Sequence, residues 1–255
     1  MSAPVFLADA SAAHPLAQYA PGSVYVLDGA EGRHAGVVQR RGPGERIDVV
    51  DGAGVRLRTV VEAVDGPSVH LRVEGVDVEP DPAVVVTLVQ ALAKGDRDEM
   101  AIEAATETGA DAVVPWQAER SVVVWRGDRA AKSRARWVST VRAATKQARR
   151  ARIPTVGTAV STRQLAARVR EAVEAGGAVA VLHEEATTPL ATLPLPDAGE
   201  LLVVVGPEGG ISDGEVAQLT EAGAVTARLG PHVLRTSTAG PVAIALLSER
   251  LGRWA

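Results

Sequence analysis

The 255-residue chain contains no cysteine. This absence excludes disulfide bonds, thiolate metal ligands and cysteine nucleophiles. The five histidines are scattered along the sequence and lack the spacing of metal ligands. We therefore expect no metal cofactor, and the cytoplasm is the default compartment for such a chain.

Long hydrophobic runs are missing as well. Hydrophobic residues make up 46% of the chain, but no apolar stretch approaches the roughly 18 residues that a membrane-spanning helix needs. The first residues, Met-Ser-Ala-Pro, show neither the basic segment nor the sustained apolar segment of a secretory signal. These patterns favour a globular protein with no membrane segment, and the length suits one large domain or two modest ones.

Acidic residues are nearly missing from one segment of a chain that is acidic overall. The formal net charge is -4, yet residues 120–152 contain eleven Lys and Arg and a single acid, Asp128. This segment alone carries +10, which leaves about -14 on the rest of the chain. Cations clustered in this way displace condensed counterions from phosphate, so we expect a nucleic-acid partner. The alternative is a solvated helical face, although the acids that would form i,i+4 pairs are missing.

The first third of the chain is predicted to form β structure. Short β-rich runs are separated by clusters of Gly, Pro and Asp. They lie at residues 5–7, 24–27, 46–50, 55–64 and 69–78. Residues 51–54 (Asp-Gly-Ala-Gly) are typical of a hairpin turn. Residues 79–82 (Glu-Pro-Asp-Pro) indicate a linker, so the predicted domains are residues 1–78 and 83–255.

In the second part, apolar strands alternate with helical patterns, which predicts an open α/β sheet with helices on its faces. Strands are expected at residues 84–92, 112–115, 122–125, 179–182, 201–205 and 227–229. Helices are expected at residues 96–108, 128–151, 162–175 and 241–251. Asp96 is predicted to cap the first of these helices, Gly109 to end it, and Pro241 to open the last one.

Two glycine–proline turns stand out near the carboxyl terminus. The apolar run 201–205 ends in Gly-Pro-Glu-Gly-Gly at residues 206–210, and Ser212 with Glu215 then has the form of a capping box. Residues 229–236 read Leu-Gly-Pro-His-Val-Leu-Arg-Thr. We refer to residues 206–210 as the first turn and to residues 229–235 as the second turn. A strand that ends in such a turn exposes amides and lacks side-chain bulk, which leaves room for a ligand. Neither common nucleotide fingerprint is present.

Taken together, these turns resemble a known family. GPEGGIS-x-x-E, then LG-x-x-VLRT and a final apolar helix, are similar to the cofactor-binding end of the SPOUT methyltransferases. Within that superfamily they most resemble the small-subunit rRNA uridine-N3 methyltransferases, the RsmE family. The resemblance implies an α/β fold in which a small PUA-like β-barrel precedes a SPOUT trefoil-knot domain. It also implies methyl transfer from S-adenosyl-L-methionine to N3 of a uridine in 16S rRNA by a homodimer. We expect the assembled small subunit to be the substrate, with naked rRNA as the alternative that the sequence leaves open.

The resemblance extends over both parts of the chain. In the first part it is carried by residues 32–34, 37–41 and 49–54, and in the second by residues 90–97, 102–103, 106–109, 115–121, 136–137, 144 and 147. Two positions depart from the family. Relatives often carry an arginine just before the entry that reads Ala3-Pro4-Val5-Phe6 here, and they usually have a glutamate where this chain has Ser237. Roles of that arginine and that glutamate do not transfer.

The implied reaction needs a way to remove the proton of uridine N3, a weakly acidic imide. Because the chain has no thiol, we expect catalysis to rest on positioning and electrostatics. Arg235 is the leading candidate, since a guanidinium beside the uracil carbonyls would stabilise their negative charge; alternatively it forms an ion pair or clamps a carbonyl. Glu208 and His232 are candidate proton acceptors. Alternatively, Glu208 only bonds backbone amides and His232 is a surface histidine.

For the cofactor, backbone groups of the two turns are predicted to matter more than side chains. The predicted lining residues are His183, Gly206, Glu208, Gly209, Gly210, Leu229, Gly230, Val233 and Leu234. The residues predicted to contact RNA are Arg33, His34, Arg40, Arg129, Lys132, Arg136, Arg142, Lys146, Arg149, Arg150 and Arg152. The alanine-rich segment 239–251 is a dimer contact or simply part of the core.

Two other functions stay open at this point. One is a SPOUT methyltransferase that acts on a tRNA base or ribose, which the β-rich first part and residues 233–236 disfavour. The other is a non-catalytic ribosome-assembly factor that kept the fold. Stoichiometric cofactor binding or methyl transfer to ribosomal subunits would count against that last hypothesis.

Overall fold

The computed structural model describes residues 3–8 and 14–254, which form two compact units. The first unit comprises the chain up to Asp81 together with Thr145–Ile153. The second comprises Pro82–Ala144 and the chain from Pro154 onward. The candidate site lies entirely in the second unit.

The first unit is a half-barrel of five strands. Its elements are β1 (Val5–Leu7), β2 (Val24–Leu27), helix α1 (Gly29–Arg33), β3 (Arg46–Val50), β4 (Val55–Asp65) and β5 (Ser68–Val78). The strand order is β1-β3-β4-β5-β2, with β1 parallel to β3 and the other pairs antiparallel. Alternate side chains of these strands, among them Ile47, Leu57 and Leu71, are fully buried in one apolar cluster. The predicted β-rich first part is confirmed.

Helix α1 was not expected from the sequence. It continues into a wider helical turn over His34–Val38. A Cβ at Gly32 would lie 2.2 Å from the carbonyl oxygen of Pro67 and 2.4 Å from that of Leu27. Only glycine allows α1 to approach the half-barrel so closely, which accounts for the glycine at position 32.

Residues 145–153 belong to the first unit, whereas the sequence placed them in the second domain. Ala151 packs in a small apolar cluster with Val5, Leu7 and Val50. The Nζ atom of Lys146 donates to Glu31 Oε1 at 2.7 Å. The buried side chain of Ala151 and the ion pair between Lys146 and Glu31 therefore hold this segment to the half-barrel.

The second unit is a parallel α/β domain. Its strands are β6 (Val84–Ala91), β7 (Ala112–Gln117), β8 (Thr155–Val156), β9 (Val160–Ser161), β10 (Ala178–Leu182), β11 (Gly199–Val205) and β12 (Val225–Ala227). Its helices are α2 (Arg97–Thr108), α3 (Asp128–Gln147, whose last residues are grouped with the first unit), α4 (Thr162–Glu174), α5 (Asp213–Glu221) and α6 (Thr236–Arg250). The sheet order is β12-β10-β11-β6-β7-β8, with β9 also paired to β7, and every pair is parallel. The predicted parallel α/β architecture is confirmed.

Helices cover both faces of this sheet. Leu165 of α4 and Leu219 of α5 are buried against strand residues such as Val89 and Val204. Helices α2 and α6 pack against each other and against β6 on the other face. Sheet residues that are buried on both sides explain the continuous apolar runs of the sequence. The threading of the last helix that the family resemblance implies stays a prediction.

Two predicted strands are wrong in position or type. Residues 122–125 form no strand; Trp125 is buried because its ring packs edge-on against Trp137, with centroids 5.2 Å apart. The strand expected at 227–229 is Val225–Ala227, since Val225 pairs with Ala180 and Ala227 with Leu182. In both cases the apolar residues indicated a buried segment. They did not determine whether the segment forms a strand or which residues pair.

Helix boundaries also needed correction. Helix α3 ends at Gln147 and not at residue 151, because Arg149 adopts a left-handed backbone with φ of +57°. Helix α6 begins at Thr236, five residues before Pro241, because the Arg235 carbonyl already accepts bonds from the amides of Thr238 and Ala239. Asp96 makes no side-chain cap of α2; the Glu99 amide bonds to Asp98 Oδ1 instead. Gly109 ends α2 as predicted, with φ of +114°.

Candidate functional site

A cavity of about 730 Å³ lies at the carboxyl edge of the parallel sheet. Because parallel strands all end at the same edge, the segments that follow five strands meet there. These strands, in spatial order, are β12, β10, β11, β6 and β7. The second turn follows β12, His183 follows β10, and the first turn follows β11. Arg97 and Arg120 come from the segments after β6 and β7.

Every residue that was predicted for catalysis or cofactor binding lines this cavity. The catalytic candidates are Arg235, Glu208 and His232, and the cofactor candidates are His183, Gly206, Glu208, Gly209, Gly210, Leu229, Gly230, Val233 and Leu234. Their roles stay predictions, but their proximity is a property of the fold. Other residues that line the cavity were not predicted from the sequence: Arg97, Arg120, Glu184, Glu185, Arg228 and Thr236. For Glu184 and Glu185 the available signal was their position just after the predicted strand 179–182, next to His183.

The first turn needs glycine at two positions for different reasons. A Cβ at Gly206 would lie 2.6 Å from Ile211 Cγ1, which is too close for any side chain. Gly210 has φ of +75°, and its amide donates to the Pro207 carbonyl at 2.9 Å. The turn then enters α5 through the predicted capping box of Ser212 and Glu215, which is confirmed.

Glu208 is held by the segment that follows β6. Its Oε1 accepts bonds from the Lys94 amide at 3.0 Å and from Arg97 Nη1 at 2.9 Å. Burial raises the pKa of the Glu208 carboxyl, but the backbone amides of Glu208 and Lys94 and the Arg97 guanidinium outweigh it, so the net pKa is lowered. A carboxylate with a lowered pKa is a weaker base, and its contacts favour an anchoring role.

The carbonyl of Gly206 is tied to the start of α6. Thr236 Oγ1 donates to the Gly206 oxygen at 2.7 Å and accepts from Gln90 Nε2 at 2.8 Å. Gln90 is fully buried and Thr236 nearly so. This chain of bonds joins the end of β6, the first turn and the residue that follows Arg235.

The second turn makes few contacts. Within residues 14–254, the backbone groups of residues 229–234 make no hydrogen bond. Val233 is 75% exposed and Leu234 37% exposed. The Arg235 side chain is exposed, and no ion pair to it occurs within the described ranges, so the alternative role of an ion-pair partner finds no support. His232 is exposed as well, whereas His183 is half-buried and accepts a bond from the Glu185 amide through Nδ1 at 3.3 Å.

Several of the predicted RNA-binding residues have protein partners. In the first unit, Lys146 pairs with Glu31, and Arg152 pairs with Asp81 and donates to the Glu79 carbonyl. In the second unit, Arg136 pairs with Glu99 and Asp96. Arg149 and Arg150 also have partners.

The remaining candidates are more accessible. Arg129, Lys132 and Arg142 on α3 are exposed, and no partner of theirs occurs in the part of the chain that the structure describes. The same holds for Arg33 and Arg40 in the first unit. His34 is half-buried, contacts the Phe6 ring and shares a bond with Gln39.

Two negative findings concern the described residues only. No three His, Cys, Asp or Glu side chains among them are grouped closely enough to hold a metal ion. None of their helices combines the length and the apolar character that crossing a membrane requires.

Comparison with known proteins gives consistent results. A family described as the RNA methyltransferase domain matches residues 79–248. The ribosomal RNA small subunit methyltransferase E of Mycobacterium tuberculosis is 51% identical over 233 residues, which span 91% of this chain and 89% of the mycobacterial one. Among solved structures, a ribosomal RNA small subunit methyltransferase E from Neisseria gonorrhoeae bound to S-adenosyl methionine has a TM-score of 0.81 at 26% identity, covering 98% of both chains. A methyltransferase from Legionella pneumophila in complex with S-adenosyl methionine has a TM-score of 0.78 at 28% identity, again covering 98% of both chains.

Proposed function

Because the chain belongs to the ribosomal RNA small subunit methyltransferase E family, we propose that it methylates N3 of a uridine in 16S rRNA with S-adenosyl-L-methionine as the methyl donor. The observation that carries the proposal is the cavity at the carboxyl edge, where two glycine turns meet an exposed Arg235 that has no ion pair with any described residue. N3 specificity and the individual roles of residues are the parts that experiment must test.

The cavity fits an adenosyl group in size and chemistry. Its volume of about 730 Å³ is within the usual range for a small-molecule site. Free backbone groups of residues 229–234 are suited to reading an adenine edge, and Val233 and Leu234 offer apolar surface. When bound, S-adenosyl-L-methionine supplies an electrophilic methyl group on a sulfonium sulfur.

The protein must make uridine N3 nucleophilic. The nitrogen has to lose its proton before a bond to the methyl carbon forms, and the negative charge then spreads over the two flanking carbonyl oxygens. The Arg235 guanidinium is exposed at the cavity and forms no ion pair within residues 3–8 and 14–254, so it is suited to stabilise this charge. Arg235 would touch the reacting base and is therefore our catalytic residue.

Two residues of the turns, His232 and Glu208, are candidates for the proton acceptor. His232 lies in the same turn as Arg235 and is exposed, so its imidazole is accessible to a substrate at the cavity. Glu208 is bound to Arg97 and its pKa is lowered, which makes its carboxylate a poor proton acceptor. We propose His232 as the acceptor and Glu208 as an anchor of the first turn. A pH–rate profile whose acidic limb persists in His232→Ala would overturn this assignment.

Exposed cations in each unit support RNA binding. Arg129, Lys132 and Arg142 of α3 present positive charge on the second unit, and Arg33 and Arg40 do so on the first. Removal of one such cation should weaken binding to RNA of any sequence and lower the salt dependence of binding by about one counterion. Arg136, Lys146 and Arg152 have acidic partners and should contribute less.

Self-association and location are further parts of the proposal. Met100 of α2 and Val242 of α6 are apolar and about half exposed, at 56% and 42%, which suits a contact between two copies of the chain. We propose a homodimer that works in the cytoplasm, where ribosomal RNA is assembled into subunits. Sedimentation of the wild type and of Val242→Glu tests the first point; a wild type that sediments as a monomer would contradict it.

The direct test is methyl transfer to defined RNA substrates. Purified protein and S-adenosyl-L-methionine are incubated with small ribosomal subunits, with naked 16S rRNA or with tRNA, each from a strain that lacks the gene. Nucleoside mass spectrometry should detect new N3-methyluridine in the subunit sample and none in tRNA. Persistence of every N3-methyluridine in rRNA of the deletion strain would remove the proposed function. Methylated tRNA would favour the alternative of a SPOUT methyltransferase that acts on tRNA.

A further inference from the structure

Arg120 lines the cavity but has no part in the reaction described above. Its Nη1 donates to the Gly209 carbonyl oxygen at 3.0 Å. The amide on the other side of the same peptide group, Gly210 N, donates to the Pro207 carbonyl at 2.9 Å. The Gly209–Gly210 peptide is therefore held at both its oxygen and its nitrogen.

The same contact accounts for the glycine at position 209. A Cβ there would lie 3.2 Å from Arg120 Cβ and 3.6 Å from Arg120 Cδ. The φ of Gly209 is not in the left-handed region, so backbone conformation does not demand glycine at this position. A side chain there would instead press on Arg120, which would have to shift by a few tenths of an ångström.

Hydrogen bonds hold the segment that carries Arg120 in place. The amide of the preceding residue, Glu119, donates to Glu215 Oε1 at 2.8 Å, and Ser212 Oγ donates to Glu119 Oε2 at 2.7 Å. Glu215 is 5% exposed and also accepts a bond from Thr162 Oγ1 at 2.6 Å. The segment after β7 is thus locked to the start of α5, the helix that follows the first turn. Because its segment is held in this way, the Arg120 guanidinium can keep the first turn in one geometry.

We propose that Arg120 is a positioning residue for the methyl donor, acting through the Gly209 carbonyl to keep the first turn in its binding geometry. The inference rests on the proposed function, because it takes the first turn to be the donor site. A glycine-rich turn has many accessible backbone states, and a turn that is fixed before binding loses less entropy when the ligand arrives. Arg120 supplies this fixation from outside the turn.

The test compares Arg120→Ala with Arg120→Lys and with a matched control, Arg170→Ala. Arg170 is exposed on α4, and no bond to its side chain occurs in the described part of the chain. Calorimetry should show that Arg120→Ala binds S-adenosyl-L-methionine roughly tenfold more weakly than the wild type. Arg120→Lys, which keeps a donor, should recover part of this loss. Arg170→Ala should bind as the wild type does.

A second measurement needs no cofactor. Hydrogen exchange at the Gly210 amide reports on the peptide group that Arg120 holds, so exchange in the free protein should be faster in Arg120→Ala and unchanged in Arg170→Ala. The melting temperature should change little, because the Arg120 side chain makes one bond and is exposed. Exchange and donor affinity that equal those of the control would overturn the proposal.

The outcomes separate this inference from the proposed function. A wild-type protein that binds no methyl donor would remove the proposed function itself. A wild type that binds and methylates, with an Arg120→Ala variant altered only in its KM for RNA, would show that Arg120 contacts the substrate and does not position the donor.

Discussion

The two turns of the candidate site have similar sequences and very different surroundings. The first is tied through its side chain at Glu208 and its carbonyls at Gly206 and Gly209, by groups from three other segments. The second, within the described residues, has no backbone bond from 229 to 234. Glycine and proline thus predict a turn in both places, but contacts from outside decide whether its geometry is fixed before a ligand binds.

This difference suggests a division of labour. A fixed turn suits a donor that binds in the same way in every cycle. A turn with free backbone groups can close on the adenine of the donor and adjust to the RNA beside it, at the cost of being ordered when they bind. Arg235 lies where the second turn meets α6, with its carbonyl bonded into the helix. Its neighbours on one side make few contacts, whereas its own carbonyl is bonded into α6.

The largest effect is expected for Arg235→Ala. Loss of a group that stabilises developing charge typically lowers turnover by about 10²- to 10³-fold. Because Arg235 makes no bond to the first turn within the described residues, affinity for S-adenosyl-L-methionine should change far less. Single-turnover rates and calorimetry on the same preparations measure the two quantities. Equal losses in both would mark Arg235 as a structural residue, and Arg235→Lys serves as the charge-preserving control.

Gly206→Ala should have the next largest effect, and on the donor instead of the reaction step. The added Cβ would meet Ile211 Cγ1 at 2.6 Å, so the turn must shift. Overpacking of this kind costs about 1–3 kcal/mol, which corresponds to roughly a 5- to 160-fold loss if all of it falls on donor binding. Calorimetry gives the affinity, and urea unfolding shows how much of the cost falls on stability. Unchanged donor affinity would mean that the first turn is not the donor site.

The sequence was sufficient for the parts of this site that are contiguous in the chain. Each turn follows a buried strand, and strand ends in a parallel sheet converge, so residues such as His183, Gly206 and Leu229 could be brought together in advance. The capping box of Ser212 and Glu215 was likewise readable from four residues. These predictions rested on short sequence patterns and on the rule that parallel strands end at the same edge of a sheet.

The contacts that distinguish the two turns could not be predicted in the same way. Arg97 and Arg120 reach the first turn because β11 lies next to β6, and β6 next to β7, an order that differs from the order along the chain. The pairing of Lys146 with Glu31 joins residues that are 115 positions apart. A basic run shows where charge is present, but only the fold shows which charges are already neutralised.

Glu208→Gln should weaken the first turn moderately. The amide side chain can still accept a bond from Lys94 N or Arg97, but the charge that strengthens those bonds is lost. We expect donor affinity to fall about threefold, as measured by calorimetry, with Arg170→Ala as the neutral control.

The pH dependence of stability gives an independent check on Glu208. Its folded-state pKa lies below the ordinary 4.5, because amides and Arg97 outweigh burial. The carboxylate therefore contributes stability that is fully present above pH 4.5 and is lost as pH falls through the lower folded-state value. The urea midpoint of the wild type should exceed that of Glu208→Gln at pH 6, and the gap should close on acidification. A gap that widens on acidification would contradict the lowered pKa.

The smallest effect is expected for Gly230→Ala, which makes the same chemical change in the second turn as Gly206→Ala makes in the first. Apart from its two chain neighbours, no described residue has an atom within 4 Å of a Cβ at Gly230, and the φ of Gly230 is outside the left-handed region. The methyl group should therefore be accommodated without strain, and affinity for S-adenosyl-L-methionine should change by less than about twofold. If Gly230→Ala were as damaging as Gly206→Ala, the second turn would have to close tightly on the donor. The contrast between a fixed turn and an adaptable one would then apply only to the free protein.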